Sequence, residues 1–440
     1  MIGAGVLLAL VGLLSVWSCL RGAAEQVAVR AVGSVIVLAT LVPVMSVAEQ
    51  SVAISAMVIA IIVCLIARVR TNVRLSSSGW GGIALVLAFL AWSAARIVGQ
   101  FSTRSVLLQV GMLATVGALA LVVPLLRRSD LRVLADVVLV LVIVHTAYAA
   151  LEQINAVGTV WQLREKSLET IEDRLNVLLP ALAGRSQSSF GHPIPFGFFA
   201  CFAVLVLTHT AFQYRRGRYA IGVGIALVAL GLSGTRSAAV ALIVALAAYV
   251  LANVRWRRLL PLAVVAGVVA ILALVLDLPR LLSLDSRFES SVSYIHRTLV
   301  AGSWESLWAQ DDVHRWFGWG AGATAELFRS GIVRGAHKLV YFDNTFISLF
   351  ALSGLLAVLL FCAILAWSIR GGALAIGLCT FIAVMGFSFD QQLWQLPLMV
   401  LVLGSLLPRS LGVLHRREVV APSDQAPAAM TRRTRRATNA

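Results

Sequence analysis

Long apolar stretches recurring from one end to the other constrain this chain more than any other feature. Runs of roughly 16 to 24 residues can cross ~30 Å of hydrocarbon at 1.5 Å per residue. About thirteen such runs can be drawn, at 3–20, 31–48, 52–67, 80–98, 106–126, 133–151, 191–212, 219–235, 237–253, 259–277, 344–368, 372–389 and 394–408. The 31–67 and 219–253 regions each read equally as a hairpin or a re-entrant pair. Inside a bilayer every backbone N–H and C=O must find a partner within the protein, so the pattern predicts an all-α fold. The expectation is a polytopic transmembrane helical bundle of about 12 to 13 spans with two long extracytoplasmic loops. Composition agrees: of 440 residues, 60% are hydrophobic and 13% charged, against about 25% charged in a soluble domain. The first run has neither a basic leading segment nor a cleavage site, so it reads as a membrane helix and not a signal peptide. No internal repeat is visible.

A net charge of +16 would suggest nucleic acid in a soluble protein, but its placement argues otherwise. Alternate loops carry Arg21 and Arg30, then Arg68, Arg70 and Arg74, then Arg127, Arg128 and Arg132, then Arg215, Arg216 and Arg218, then Arg255, Arg257 and Arg258, then Arg370. Arg409, Arg416 and Arg417 and two Arg-Arg pairs follow in the tail. Short cytoplasmic loops hold the Arg and Lys excess, so these loops are assigned to the cytoplasm, with the N-terminus outside and the C-terminus inside. The two long segments on the opposite side, about 152–190 and 278–343, are close to neutral. The excess charge therefore reports topology and attraction to anionic membrane lipids, and no nucleic-acid partner is expected.

The domain organisation follows. Residues 1–408 form the transmembrane domain, and 409–440 read as a disordered basic cytoplasmic tail. In the first outer loop, Trp161, Leu168, Ile171, Leu175, Leu178 and Leu179 recur at helical spacing between charges, which predicts an amphipathic helix on the outer leaflet. Cys19, Cys64, Cys201, Cys362 and Cys379 all lie in apolar runs without metal-ligand spacing, so neither a disulfide framework nor a metal site is indicated.

Two classes of protein fit so many spans. A transporter buries ionisable groups at mid-membrane; here only His145 and Gln109 stand out at depth, and Asp136, Arg96, Asp277 and Asp390 sit near span ends. An enzyme acting on lipid-linked substrate places its chemistry at a membrane face, and the outer face is the richer one. Arg236 stands in Leu232-Ser233-Gly234-Thr235-Arg236-Ser237, between two apolar runs. It either terminates a short outer hairpin or grips phosphate, to which an always-charged guanidinium is suited. Ser188-Ser189-Phe190-Gly191-His192-Pro193-Ile194-Pro195-Phe196-Gly197 makes a shaped return into the membrane. Phe317-Gly318-Trp319-Gly320-Ala321-Gly322 ends the second loop without the preceding strand of a dinucleotide fold. Asp343 and Asn344 open a helix ahead of Leu352-Ser353-Gly354-Leu355-Leu356, either as caps or as an acid-amide pair at the outer mouth.

Taken in order across about 185–390, these features resemble the O-antigen ligase and O-antigen polymerase family of membrane glycosyltransferases. The shared series is a Gly-x-Pro return, a Thr-Arg-Ser step, a large outer loop with an Arg and Trp stretch (here Arg297 to Trp308), a Gly-x-Gly turn and an acid-Asn or His-Asn pair before a Gly-Leu-Leu turn. The resemblance implies an enzyme at the outer face of the bacterial plasma membrane. It would move glycan from an undecaprenyl-diphosphate carrier to an acceptor glycan or lipid, polymerising or ligating surface polysaccharide without metal or other cofactor. It further implies Arg236 and Arg185 as diphosphate-binding residues, His192, Arg297, Gly318 and Gly320 as substrate-binding ones, and Asp343, Asn344 and His337 as catalytic. Ligases of the family carry His directly before the Asn. Asp343 in that place leaves the base open between Asp343 and His337 and favours a polymerase or other glycan transferase over a lipid A ligase. The alternative is a transporter for a small or lipid-linked solute, centred on His145 and Gln109.

Overall fold

A computed structural model describes residues 2–43, 50–71, 75, 77–97, 103–158, 160–161, 176, 178–179, 181–182, 184–253, 292–336 and 339–412. Among them are helices and turns and no strand, as the apolar runs require. The first nine helices are α1 (Ile2–Arg21), α2 (Val27–Leu41), α3 (Gln50–Arg70), α4 (Ser77–Ala95), α5 (Thr103–Ala120), α6 (Asp130–Gln153), α7 (Pro193–Tyr214), α8 (Gly217–Ser233) and α9 (Arg236–Asn253). Four short helices follow, α10 (Val292–Ala301), α11 (Trp304–Trp308), α12 (Asp312–Phe317) and α13 (Thr324–Arg329). The chain then forms α14 (Thr345–Trp367), α15 (Ala373–Met385), α16 (Gln395–Leu406) and the single turn α17 (Arg409–Gly412). Twelve of the expected runs are thus helices, and the run at 259–277 lies outside the described residues, as does most of the amphipathic helix expected after Trp161. Six helices among the described residues are long and apolar enough to cross a membrane. The protein is a multi-pass all-α membrane bundle.

Helices near and far in sequence pack together: α7 on α8, α6 on both, α3 against α1, α2 and α5, and α9 against α15. One apolar core runs through the bundle, filled by fully buried Phe196, Phe198, Phe199 and Phe202 of α7 among others. The perimeter is equally apolar: Ile221 of α8 is 67% exposed and Ile243 of α9 is 68% exposed. In water such a surface would drive aggregation; in a bilayer it meets lipid.

The two ends of the bundle differ. At one, the basic loops touch each other: Arg70 donates to Cys19 O and Leu20 O, Arg127 pairs with Glu25 at 3.5 Å, and Arg218 pairs with Asp136 at 2.6 Å. Tyr214 donates to Arg128 O. The sequence reading starts the tail at 409, whereas 409–412 are helical and anchored, Leu411 O lying 2.7 Å from His209 Nε2; the rest of the tail is outside the described residues.

At the other end α10 to α13 fold into a cap with its own small core of Val300, Leu307, Leu327, Val333 and Phe342, which rests on Ile347, Phe350 and Ala351 of α14. α14 is kinked to receive it. Gly354 has φ +78°, and a side chain there would meet the Trp316 carbonyl. The carbonyls the kink opens are satisfied from outside: Trp319 N donates to Ala351 O and Gly320 N to Leu352 O, both at 2.9 Å, and Trp92 Nε1 of α4 donates to Ser353 O.

Candidate active site

The capped end gathers the polar residues, and the path to them begins with the return into α7. Gly191 takes a left-handed turn at φ +69°, and His192 caps α7 by accepting from Ile194 N through Nδ1 at 3.1 Å, with Pro193 fitting the first helical position. This segment lies against the Ser233-Gly234-Thr235 turn that joins α8 to α9. A side chain at Gly197 would stand 2.7 Å from Ser233 Oγ and 2.9 Å from Thr235 Cβ, so glycine leaves room for both side chains. Thr235 Oγ1 donates to Pro193 O at 3.1 Å, and Ser186 N donates to Leu232 O.

Arg185 is part of this joint. Its Nε donates to Ser233 O at 3.0 Å and its guanidinium to Thr235 Oγ1 at 3.2 Å, which fixes it against the residue before Arg236. Arg236 opens α9, half-buried at the positive end of that helix dipole. The third arginine comes from the cap. His296, fully buried, accepts from Ala336 N and, through its other ring nitrogen, contacts Tyr341 O at 2.9 Å, clamping α10 to the segment before α14. Arg297, the next residue, donates from Nε to Asp343 Oδ2 at 3.2 Å. Arg297 is close enough to repel Arg236, and His192 lies within electrostatic reach of both Arg185 and Arg297.

Asn344 caps α14, its Oδ1 accepting from Phe346 N at 2.9 Å and Ile347 N at 3.1 Å. That cap aims the preceding Asp343 at Arg297. Thr345 Oγ1 donates to Phe389 O and accepts from Gln391 N, so the start of α14 is bolted to the turn between α15 and α16. In this turn Asp390 accepts from Ser348 Oγ at 2.7 Å and from Gln392 N at 3.2 Å. Burial, reinforced by the negative charge of Asp343 and opposed by the Ser348 and Gln392 hydrogen bonds, pushes the Asp390 carboxyl up to about 7.

Of the residues the sequence singles out, Arg185, Arg236, His192, Arg297, Asp343 and Asn344 thus come together from segments far apart in the chain. Gly318 and Gly320 sit in the α14 kink, where Gly318 O accepts from Arg96 at 2.9 Å and Ala321 N donates to Arg96 O; their described contacts serve the docking of the cap. His337 lies outside the described residues. His145 has its Nδ1 near Ser188 Oγ and Ser189 Oγ, at 3.1 and 3.3 Å, and holds the return segment. Asp390 and His296 were not selected by sequence reasoning. A polar Asp-Gln-Gln cluster in a two-helix turn was the available signal for the first; nothing local marks the second.

The arrangement concentrates three guanidinium groups, two of them repelling, beside one imidazole and the Asp343 carboxylate. Such a set is chemically complementary to a polyanion held next to a reacting hydroxyl. No group of three or more metal-ligating side chains occurs among the described residues. Residues 221–362 match the family model described as O-antigen ligase, a span that contains Arg236, Arg297, Gly318, Gly320, Asp343 and Asn344. No curated protein matches the chain. That stretch is similar to O-antigen ligases, and the kind of activity the similarity supports is that of a membrane glycosyltransferase.

Proposed function

From the O-antigen ligase match and the arginine cluster, we propose that this protein polymerises or ligates surface polysaccharide at the outer face of the bacterial plasma membrane, drawing glycan from an undecaprenyl-diphosphate carrier. The observation that carries the reading is the convergence of Arg185, Arg236 and Arg297 next to Asp343. A sugar diphosphate is already activated. The reaction asks for stabilisation of the departing diphosphate and for a group to take the acceptor's proton. Arg236 and Arg185 grip the diphosphate, aided by the N-terminus of α9. Arg297 bridges this site to Asp343, and His192 and the cap position the glycan. Asn344 acts by fixing the first turn of α14, and the Gly318 and Gly320 turn by seating the cap.

Arg236→Ala is the direct test. A lost transition-state contact of this kind costs about 100- to 1,000-fold in rate, so cells carrying the variant accumulate lipid-linked precursor while the protein still inserts. Normal polymer from that strain removes Arg236 from the site. Purified protein in detergent should also convert lipid-linked glycan without any ion gradient, which a transporter centred on His145 and Gln109 cannot do.

A further inference from the structure

A cavity of about 540 Å³ is bounded by α4, α5, α14, α16, the cap and the turn that bears Asp390. We propose that this cavity receives the acceptor, as a neutral hydroxyl-bearing sugar, and that Asp390 takes the proton from its attacking hydroxyl. The inference rests on the glycosyltransferase reading above and adds to it where the second substrate sits and which group is the base.

Its volume falls in the range of small-molecule sites, roughly 300–1,000 Å³. The lining decides among occupants. Asp390 disfavours the diphosphate, since two anions at one place repel. Gln109 disfavours the polyprenyl chain, which cannot satisfy its amide, while Ser348 and Gln392 are held by Asp390 and by each other. Amides, hydroxyls and a carboxylate next to the apolar faces of Phe89 and Phe342 are the groups that bind a sugar. The cavity also adjoins the donor side, because Asp390 senses the charge of Asp343 and Asp343 holds Arg297 at 3.2 Å. One Asp343 oxygen is thereby occupied. Asp390, pushed up to about 7, can take a proton at neutral pH and give it up again.

The step balances with these groups. The acceptor hydroxyl oxygen forms a bond to the anomeric carbon, and the bond from that carbon to the diphosphate oxygen breaks. Its electron pair leaves with the lipid diphosphate, facing the arginines, and the hydroxyl proton passes to Asp390. The products are the new glycoside, undecaprenyl diphosphate and a neutral Asp390 that returns its proton to water.

Two variants test this, with undecaprenyl diphosphate as the binding probe and lipid-linked glycan extracted from a deletion strain as the substrate. Asp390→Asn retains an acceptor for Ser348 and removes the base. Gln109→Trp, on the α5 wall, fills the cavity without touching the carboxylate turn. Both are expected to bind undecaprenyl diphosphate within about twofold of wild type. Transfer should fall about 100-fold or more in Asp390→Asn, the usual scale of a lost general base, and about tenfold or more once the cavity is blocked by Gln109→Trp. Full-rate transfer by either variant overturns the proposal. So does loss of undecaprenyl diphosphate binding in Gln109→Trp, which would give the cavity to the carrier lipid. If Asp390→Asn loses both binding and transfer through misfolding, Gln109→Trp decides. Wild-type protein that neither binds the probe nor transfers glycan instead overturns the glycosyltransferase reading, and the acceptor site with it.

Discussion

At the scale of single residues, what the sequence shows and what it hides divide by chemistry. Arg236 and Asp343 are visible because a charge bordering an apolar run is costly unless it has work to do, whereas Arg297, inside the long loop, is marked only by the family resemblance. Asp390 borders one too, but its meaning depends on Ser348 of α14 and on Asp343 just before that helix. Its raised carboxyl makes a prediction with a definite sign. The charged groups that face it are Asp343 and, through Asp343, Arg297, with Tyr341 lining the same cavity. Transfer should rise as pH increases through about 7 and the base loses its proton, and Asp390→Asn should lose that limb. Stability runs the other way. The folded protein holds this proton up to about 7, the unfolded chain releases it near 3.9, so the stabilising contribution is largest in acid and is lost as pH rises through about 7. A pH–rate profile of wild type and variant, beside a thermal melt at pH 5 and pH 8, separates the two effects. A profile flat from pH 6 to 8 in wild type counts against Asp390 as base.

At the scale of elements, twelve apolar helices were legible from their runs, whereas the kink in α14 was not. The run 344–368 reads as one span, and the Gly-Leu-Leu turn at Gly354 enters only through the family resemblance, with no packing partner marked. Only the cap gives it meaning. Gly354 and Gly318 face each other, both in the left-handed region at φ +78° and +71°, and a side chain at Gly318 would stand 2.5 Å from the backbone of Leu352 and Ser353. Gly-x-Gly and Gly-Leu-Leu, two weak motifs apart in sequence, are the two halves of one contact. Gly354→Ala and Gly318→Ala should each add strain of about 1–3 kcal/mol before any displacement of the cap. Both should lower the melting temperature of the purified protein by several degrees and transfer by more, since the cap carries Arg297. Gly217→Ala is the control: a side chain there meets open space, and both readouts should stay at the wild-type level. A Gly354→Ala protein with unchanged melting and activity would mean that the cap does not depend on the kink.

At the scale of the whole molecule, the alternation of basic and neutral loops in the sequence corresponds to two physically different ends. Arg70, Arg127, Arg218 and the α17 turn meet at one end, and the arginine cluster, cap and cavity occupy the other. In the proposed orientation the basic end lies in the cytoplasm, where Arg-rich loops are retained, and the site faces outward, toward a translocated lipid-linked glycan. A fluorescent protein fused after Gly412 should therefore fluoresce, since it folds only in the cytoplasm. Alkaline phosphatase inserted after Asn155 or Gln310 should be active, since its disulfides form only outside. The opposite pattern would turn the arginine cluster toward the cytoplasm and leave Arg236 facing nucleotide-activated donors, a different substrate class for the same three guanidinium groups.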